Sequence, residues 1–93
     1  MERNPLIEYN DGLVVTYSDL KKDDNKEYIT VYLERPSETK TDFDSAELKC
    51  PGNDFENIIG FSDDYLLKIK EKILKMANRA FSWAREDSYA ATV

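Results

Sequence analysis

The apolar residues of this 93-residue chain change their period once. Between Tyr28 and Glu34 they alternate: Ile29, Val31 and Leu33 point one way and Tyr28, Thr30, Tyr32 and Glu34 the other, as a strand requires. Beyond residue 62 the pattern becomes helical, with Leu66, Ile69, Ile73, Met76, Ala77, Ala80 and Ala84 recurring at three- and four-residue spacing. Strands first and one helix afterwards is an α+β order, and the sequence predicts a helix stripe lying against Ile29, Val31, Leu33, Ala46 and Leu48.

The punctuation divides the first half into four strands. Residues 6–9 form the first, Asn10-Asp11-Gly12 makes a tight turn, and residues 13–20, with Val14, Val15, Thr16 and Tyr17, form the second. Residues 21–26 contain no apolar side chain and read as a second reversal before a third strand at 27–35, which Pro36 ends. A polar loop follows, then a fourth strand at 43–50, broken by Pro51-Gly52-Asn53-Asp54. Short links favour antiparallel neighbours, so the expected architecture is a four-stranded antiparallel meander packed on one long C-terminal helix, ββββα. Ser62 is placed to cap that helix, Asp63 and Asp64 suit its positive end, Phe61 suits a staple onto Leu66, and the helix is expected over about 62–86 with a frayed tail at 88–93.

Composition enters through what it excludes. A chain 41% hydrophobic and 34% charged is too apolar for disorder and long enough for one core, so residues 1–93 read as a single domain. No apolar run spans a bilayer, residues 1–20 do not resemble an export signal, and the lone Cys50 cannot close an internal disulfide, which together point to a cytoplasmic protein of a bacterium or of a phage-infected host. The net charge of −6 is uneven: residues 1–60 hold seven Lys and Arg against fourteen Asp and Glu, and residues 61–93 hold six against five. An acidic sheet half repels phosphate, so direct nucleic-acid binding is not expected.

Catalytic constellations are sparse. The absence of histidine removes the commonest general base and metal ligand together with every Ser-His and Cys-His pair, and no enzyme activity, cofactor or metal is expected. Cys50, on the apolar side of its strand, reads as a buried structural thiol. Asp42-Phe43-Asp44 followed by Glu47-Leu48-Lys49 imitates the acidic core of some restriction-like nucleases, but Glu-x-Lys on a solvated strand face is routine charge pairing. Asp23-Asp24-Asn25 and Asn53-Asp54 with Glu56 lack the spacing of a calcium loop and read as solvated turns.

Two surfaces remain. On the outer sheet face Tyr28 and Tyr32 alternate with Thr30 and Glu34, set beside Tyr9 or Tyr17, and offer large contact area at little entropic cost. On the helix, Leu67, Leu74 and Phe81 fall seven residues apart beside the main stripe, as a flank for a curling sheet, a two-fold dimer or a foreign partner, while Lys68, Lys72, Lys75 and Arg79 form a basic ridge opposite. The partner-binding set expected is Asp23, Asp24, Glu27, Tyr28, Tyr32, Glu34, Glu38, Asp42 and Asp44.

The short acidic chain, the meander with one helix, the Asp23-Asp24 turn and the segment Thr41-Asp42-Phe43-Asp44 resemble, as a general plan over the whole chain, small phage-encoded anti-defence proteins, including anti-CRISPR inhibitors that act as DNA mimics. The resemblance implies a non-catalytic inhibitor that occupies the basic groove of a nucleic-acid-handling effector such as a Cas protein. The other readings are a small homo-oligomeric structural or regulatory protein, closing its dimer on Leu67, Leu74 and Phe81, and an antitoxin-like subunit, so the chain is expected as a monomer or a homodimer.

Overall fold

Two tight turns set the register of the sheet. At the first, the Gly12 N–H donates to the Tyr9 carbonyl (3.1 Å), the Tyr9 N–H donates to the Leu13 carbonyl (2.9 Å), and the Asp11 carboxylate accepts from the Leu13 N–H (3.1 Å). Gly12 closes this loop at φ +92°, a conformation that side chains rarely adopt. At the second, only Asp24 and Asn25 lie between strands, at φ 48° and 66°, the conformation of a type I′ hairpin turn.

The computed structural model describes residues 3–37 and 42–91. In chain order it has β1 (Arg3–Glu8), β2 (Val14–Ser18), β3 (Lys21–Asp23), β4 (Lys26–Pro36), β5 (Phe43–Cys50), β6 (Phe55–Ile59) and α1 (Asp63–Ala91). The strands lie in the order β1-β2-β4-β5-β6, every neighbouring pair antiparallel, with β3 paired to the start of β4. The α+β class and the antiparallel meander are as expected, but the strand count is larger than four.

Both added strands lacked a periodic signal. β3 carries Lys21, Lys22 and Asp23, with no apolar residue to alternate; it is a strand because the two-residue turn folds it straight back onto β4. β2 and β3 are halves of one strand: Tyr17 pairs with Val31 and Lys21 with Tyr28, so four residues on one side oppose three on the other. That extra residue is a bulge, and it displaces a ladder acceptor. The buried Ser18 replaces it, its hydroxyl accepting from the Thr30 N–H (2.9 Å) and donating to the Asp19 carbonyl (2.9 Å).

β6 hides its alternation in a bulge as well. Phe55 pairs with Leu48, Glu56 with Glu47 and Ile59 with Ser45, with Asn57 at φ 51° between them. The bulge turns Phe55 and Ile58, three residues apart, to the helix side, so the segment shows neither a strand period nor a helix of useful length. Just beyond, Gly60 passes so close to Asp44 that a Cβ there would overlap its carboxylate.

Ser62 caps α1 as expected: its hydroxyl accepts from the Tyr65 N–H (3.2 Å) and its carbonyl from the Leu66 N–H (3.1 Å). The helix backbone continues to Ala91 rather than ending near 86, carried by alanine-rich sequence of high helix propensity; the frayed tail expected at 88–93 is helical through Ala91, and 92–93 lie outside the described residues. Its buried face, Leu66, Ile73, Ala77, Ala80 and Ala84, meets the inner face of β2, β4 and β5, where Val15, Tyr17, Ile29, Val31, Leu33, Ala46, Leu48 and Cys50 are also buried. The three alanines bring the helix axis close to the sheet. Ile69, Leu74 and Phe81 pack against this core from the flanks.

Replacing Ser18 with alanine strands the Thr30 N–H in the interior and is expected to cost about 1–3 kcal/mol in urea unfolding. A loss below about 0.5 kcal/mol, the level of an ordinary surface substitution, would show that the bulge finds another acceptor.

Candidate functional site

Because α1 lies on one face only, the other face of the sheet is open. Along β4 it presents Tyr28, Thr30, Tyr32 and Glu34; the ladder sets Lys49, Glu47 and Ser45 of β5 beside them, and Thr16 and Val14 of β2 on the other side. This face is mixed in charge, not uniformly acidic. The Arg3 guanidinium lies over the Tyr32 ring (3.9 Å to its centre) and pairs with Glu34 (2.6 Å), while Lys49 Nζ lies over Tyr28 (4.2 Å). Each tyrosine thus has a cation stacked on it, the polar Asn57 amide donates to Glu47 (3.3 Å), and the rings are held as fixed platforms. Tyr17 does not join them: it faces the core and is 8% exposed, while Tyr9 packs against the core edge.

The acidic set divides according to strand parity. Asp23 and Asp24 sit at the β3–β4 turn, where a cleft of about 440 Å³ is lined by them together with Lys26, Glu27, Tyr28, Lys49 and Pro51. Asp42 is exposed at the start of β5, and Glu38 lies outside the described residues. Glu27 and Asp44 fall on the helix side. Glu27 accepts the Arg85 guanidinium (3.4 Å), which ties the start of β4 to the C-terminal part of α1. Asp44 accepts Arg35 (3.2 Å) at the opposite end. Both carboxylates, expected as partner contacts, are thus engaged by cations within the chain.

Arg35 centres a compact cluster that sequence reading did not single out. Its guanidinium pairs with Asp44 and lies 3.6 Å from Asp11, and it rests over the rings of Tyr65 (4.2 Å) and Phe61 (5.2 Å). Those rings stack in parallel at 5.3 Å, and the Tyr65 hydroxyl donates to Asp11 (2.7 Å). The hydrogen bonds from Tyr65 and from the Leu13 N–H hold the Asp11 carboxyl below its usual range, whereas burial and the bond to Asp11 push Tyr65 up to about 12. The signal available in the sequence was the parity of Arg35, which belongs to the inner face of its strand. The cluster clips the first turn of α1 to the end of the sheet.

The restriction-like imitation comes apart on the ladder. Glu47 and Lys49 share the outer face, but Asp44 is one step out of phase with them and is bound to Arg35 on the other side. Among the described residues no group of three His, Cys, Asp or Glu side chains is placed to hold a metal ion. Cys50 is buried, its thiol pushed up by desolvation and donating to Asn78 Oδ1 at 3.7 Å.

A third surface lies where the helix leaves the sheet margin uncovered. Between β6 and the first turns of α1 runs a groove of about 500 Å³, floored by Phe55, Ile58, Leu66 and Leu67 and rimmed by Asp54, Asp63 and Lys70. Of the helical flank Leu67, Leu74 and Phe81, only Leu67 is exposed, at 69%; the other two pack on the core.

Comparison with protein-family models, with curated proteins and with solved structures finds no match to this chain. No described helix is long and apolar enough to cross a membrane.

The Tyr65 clip carries a pH signature. The folded chain keeps this phenolic proton to about pH 12, whereas a free tyrosine loses it near pH 10. Unfolding therefore releases a proton between these values, and stability is expected to fall as pH rises from about 10 through 12. Ultraviolet titration should show Tyr65 and the core-facing Tyr17, which burial also pushes up, ionising with unfolding, and Tyr65→Phe should remove the Tyr65 component and lessen the alkaline slope. An unchanged slope in Tyr65→Phe would assign the loss elsewhere.

Proposed function

We propose that the chain is a non-catalytic protein-binding module, an inhibitor whose open sheet face and β3–β4 turn occupy a basic, nucleic-acid-binding groove of a larger protein. The observation that carries this reading is the open face itself: the antiparallel sheet leaves Tyr28 and Tyr32 four residues apart on one face, either side of Thr30, with the Asp23-Asp24 turn at one end. Tyrosines held by stacked cations lose little entropy on docking, and carboxylates fixed on a sheet stand where phosphates would. The separation of Glu47 and Lys49 from Asp44 supports a binding role over a nucleolytic one.

The contact set proposed is Asp23, Asp24, Tyr28, Tyr32, Glu34 and Asp42; Glu27 and Asp44 pair with Arg85 and Arg35 on the helix side. The local balance of Arg3 and Lys49 against Glu34 and Glu47 fits a partner groove of mixed lining, in which the acids at the turn supply the steering.

Immobilised chain should retain proteins from a bacterial lysate that added double-stranded DNA competes away. The combined Asp23→Lys, Asp24→Asn and Asp42→Lys variant, altered only at exposed positions and keeping a residue that tolerates the positive φ of the turn, should lose them while keeping its melting temperature. Retention that neither DNA nor charge reversal disturbs would remove the groove-occupying reading.

A further inference from the structure

The helix turns a basic side away from the sheet. At about 3.6 residues per turn, Lys68, Lys72, Lys75 and Arg79 fall within about 60° of one another, opposite the buried Leu66, Ile73 and Ala77. All four are exposed, and the only acid of the helix between Tyr65 and Arg85 is Glu71, which lies to one side and reaches Lys75 at 4.0 Å with both side chains in solvent. Among the described residues Lys68, Lys72 and Arg79 have no ion-pair partner. The ridge runs for about 16 Å along the helix, and an aromatic side chain stands at each end. Trp83, one turn beyond Arg79, is 44% exposed. At the other end Tyr9 and Asn10, where the β1–β2 turn begins, wall a cleft of about 280 Å³ together with Lys68 and Lys72. Asp11, also in that cleft, is already engaged by the Leu13 N–H, the Tyr65 hydroxyl and Arg35, while Glu86 and Asp87 bound the ridge beyond Trp83.

We propose that this ridge binds single-stranded nucleic acid, with its cations on successive phosphates and an unpaired base stacked on Trp83. Charge and ring decide the class of ligand together. A row of cations alone fits any polyanion, but an exposed aromatic face in line with it offers stacking that an array of carboxylates lacks and that a duplex, whose bases are paired, does not supply. A lipid surface needs a broad apolar face, and on this helix that face is buried against the sheet. The phosphate repulsion expected of a chain of net charge −6 arises in residues 1–60, which hold fourteen Asp and Glu against seven Lys and Arg, and the ridge points away from the sheet they build. That repulsion weakens the contact without abolishing it, and the binding depends steeply on salt. The ridge shares no residue with the open sheet face, so it goes beyond the inhibitor reading and does not rest on it.

Trp83 is the single tryptophan of the chain, so its fluorescence reads the site directly. Titrating the purified chain at low salt with a short oligothymidylate or oligouridylate should quench it saturably. The logarithm of the affinity should fall with that of the salt concentration at a slope of about −3, as about four phosphate contacts require. Lys68→Gln combined with Lys72→Gln, both at exposed sites, should roughly halve that slope. Trp83→Ala, followed by anisotropy of a labelled oligonucleotide, should weaken binding about ten-fold. Both variants should keep the far-ultraviolet circular dichroism of the parent, and the Asp23→Lys, Asp24→Asn and Asp42→Lys variant should bind the oligonucleotide at least as tightly as the parent, which separates the ridge from the sheet face. No saturable quenching at about millimolar oligonucleotide overturns the proposal. Equal quenching by poly-glutamate or by a duplex of the same length also overturns it, since either would reduce the ridge to a contact without preference for unpaired bases.

Discussion

A single helix has to cover a sheet five strands wide. The contact of α1 with β2, β4 and β5, made through Leu66, Ile73, Ala77, Ala80 and Ala84, is the interaction that orders everything else. Alanines at 77, 80 and 84 let the helix sit low on the sheet, and burial is concentrated on its middle strands. The cost appears at the margins. One helix is about 10 Å across and strands are about 4.8 Å apart, so it shields roughly two to three of them. The outer face and the β6 edge are exposed for that geometric reason.

The ends of the helix are fixed by charge rather than by further apolar contact. Arg35 binds Asp44 and approaches Asp11 beneath the stacked Phe61 and Tyr65 at one end, and Arg85 binds Glu27 at the other. Both ties recruit carboxylates from strand positions that alternate to the helix side. An acidic chain thus uses part of its negative charge internally, and what reaches the open face is tempered by Arg3 and Lys49 stacked on Tyr32 and Tyr28. Net charge overstates how acidic any one surface is.

Much of the architecture was legible in the residues. The alternation in β4, the Asn10-Asp11-Gly12 turn and the Ser62 cap each report a local preference that tertiary packing reinforced. The two missed strands had no such signal, since β3 has no apolar residue and the β6 bulge replaces a period of two with a spacing of three between Phe55 and Ile58. The candidate surfaces were legible by face only: Tyr28, Tyr32 and Glu34 follow from parity, whereas Tyr17 turns inward because the ladder pairs it with Val31. The Arg35 cluster joins residues 11, 35, 44 and 65, a set that no local window contains.

By itself the sequence determined the α+β class, the antiparallel meander, the helix start and the burial of Cys50, because each depends on periodicity or on a backbone preference spanning a few residues. Only the tertiary structure decided which carboxylates stand on the open face and which pair with cations on the helix side, that β6 forms a bulged edge strand, and that Leu67 alone of its flank is well exposed. Those outcomes depend on ladder register and on how far one helix reaches across the sheet, and both are set by contacts between residues distant in the chain.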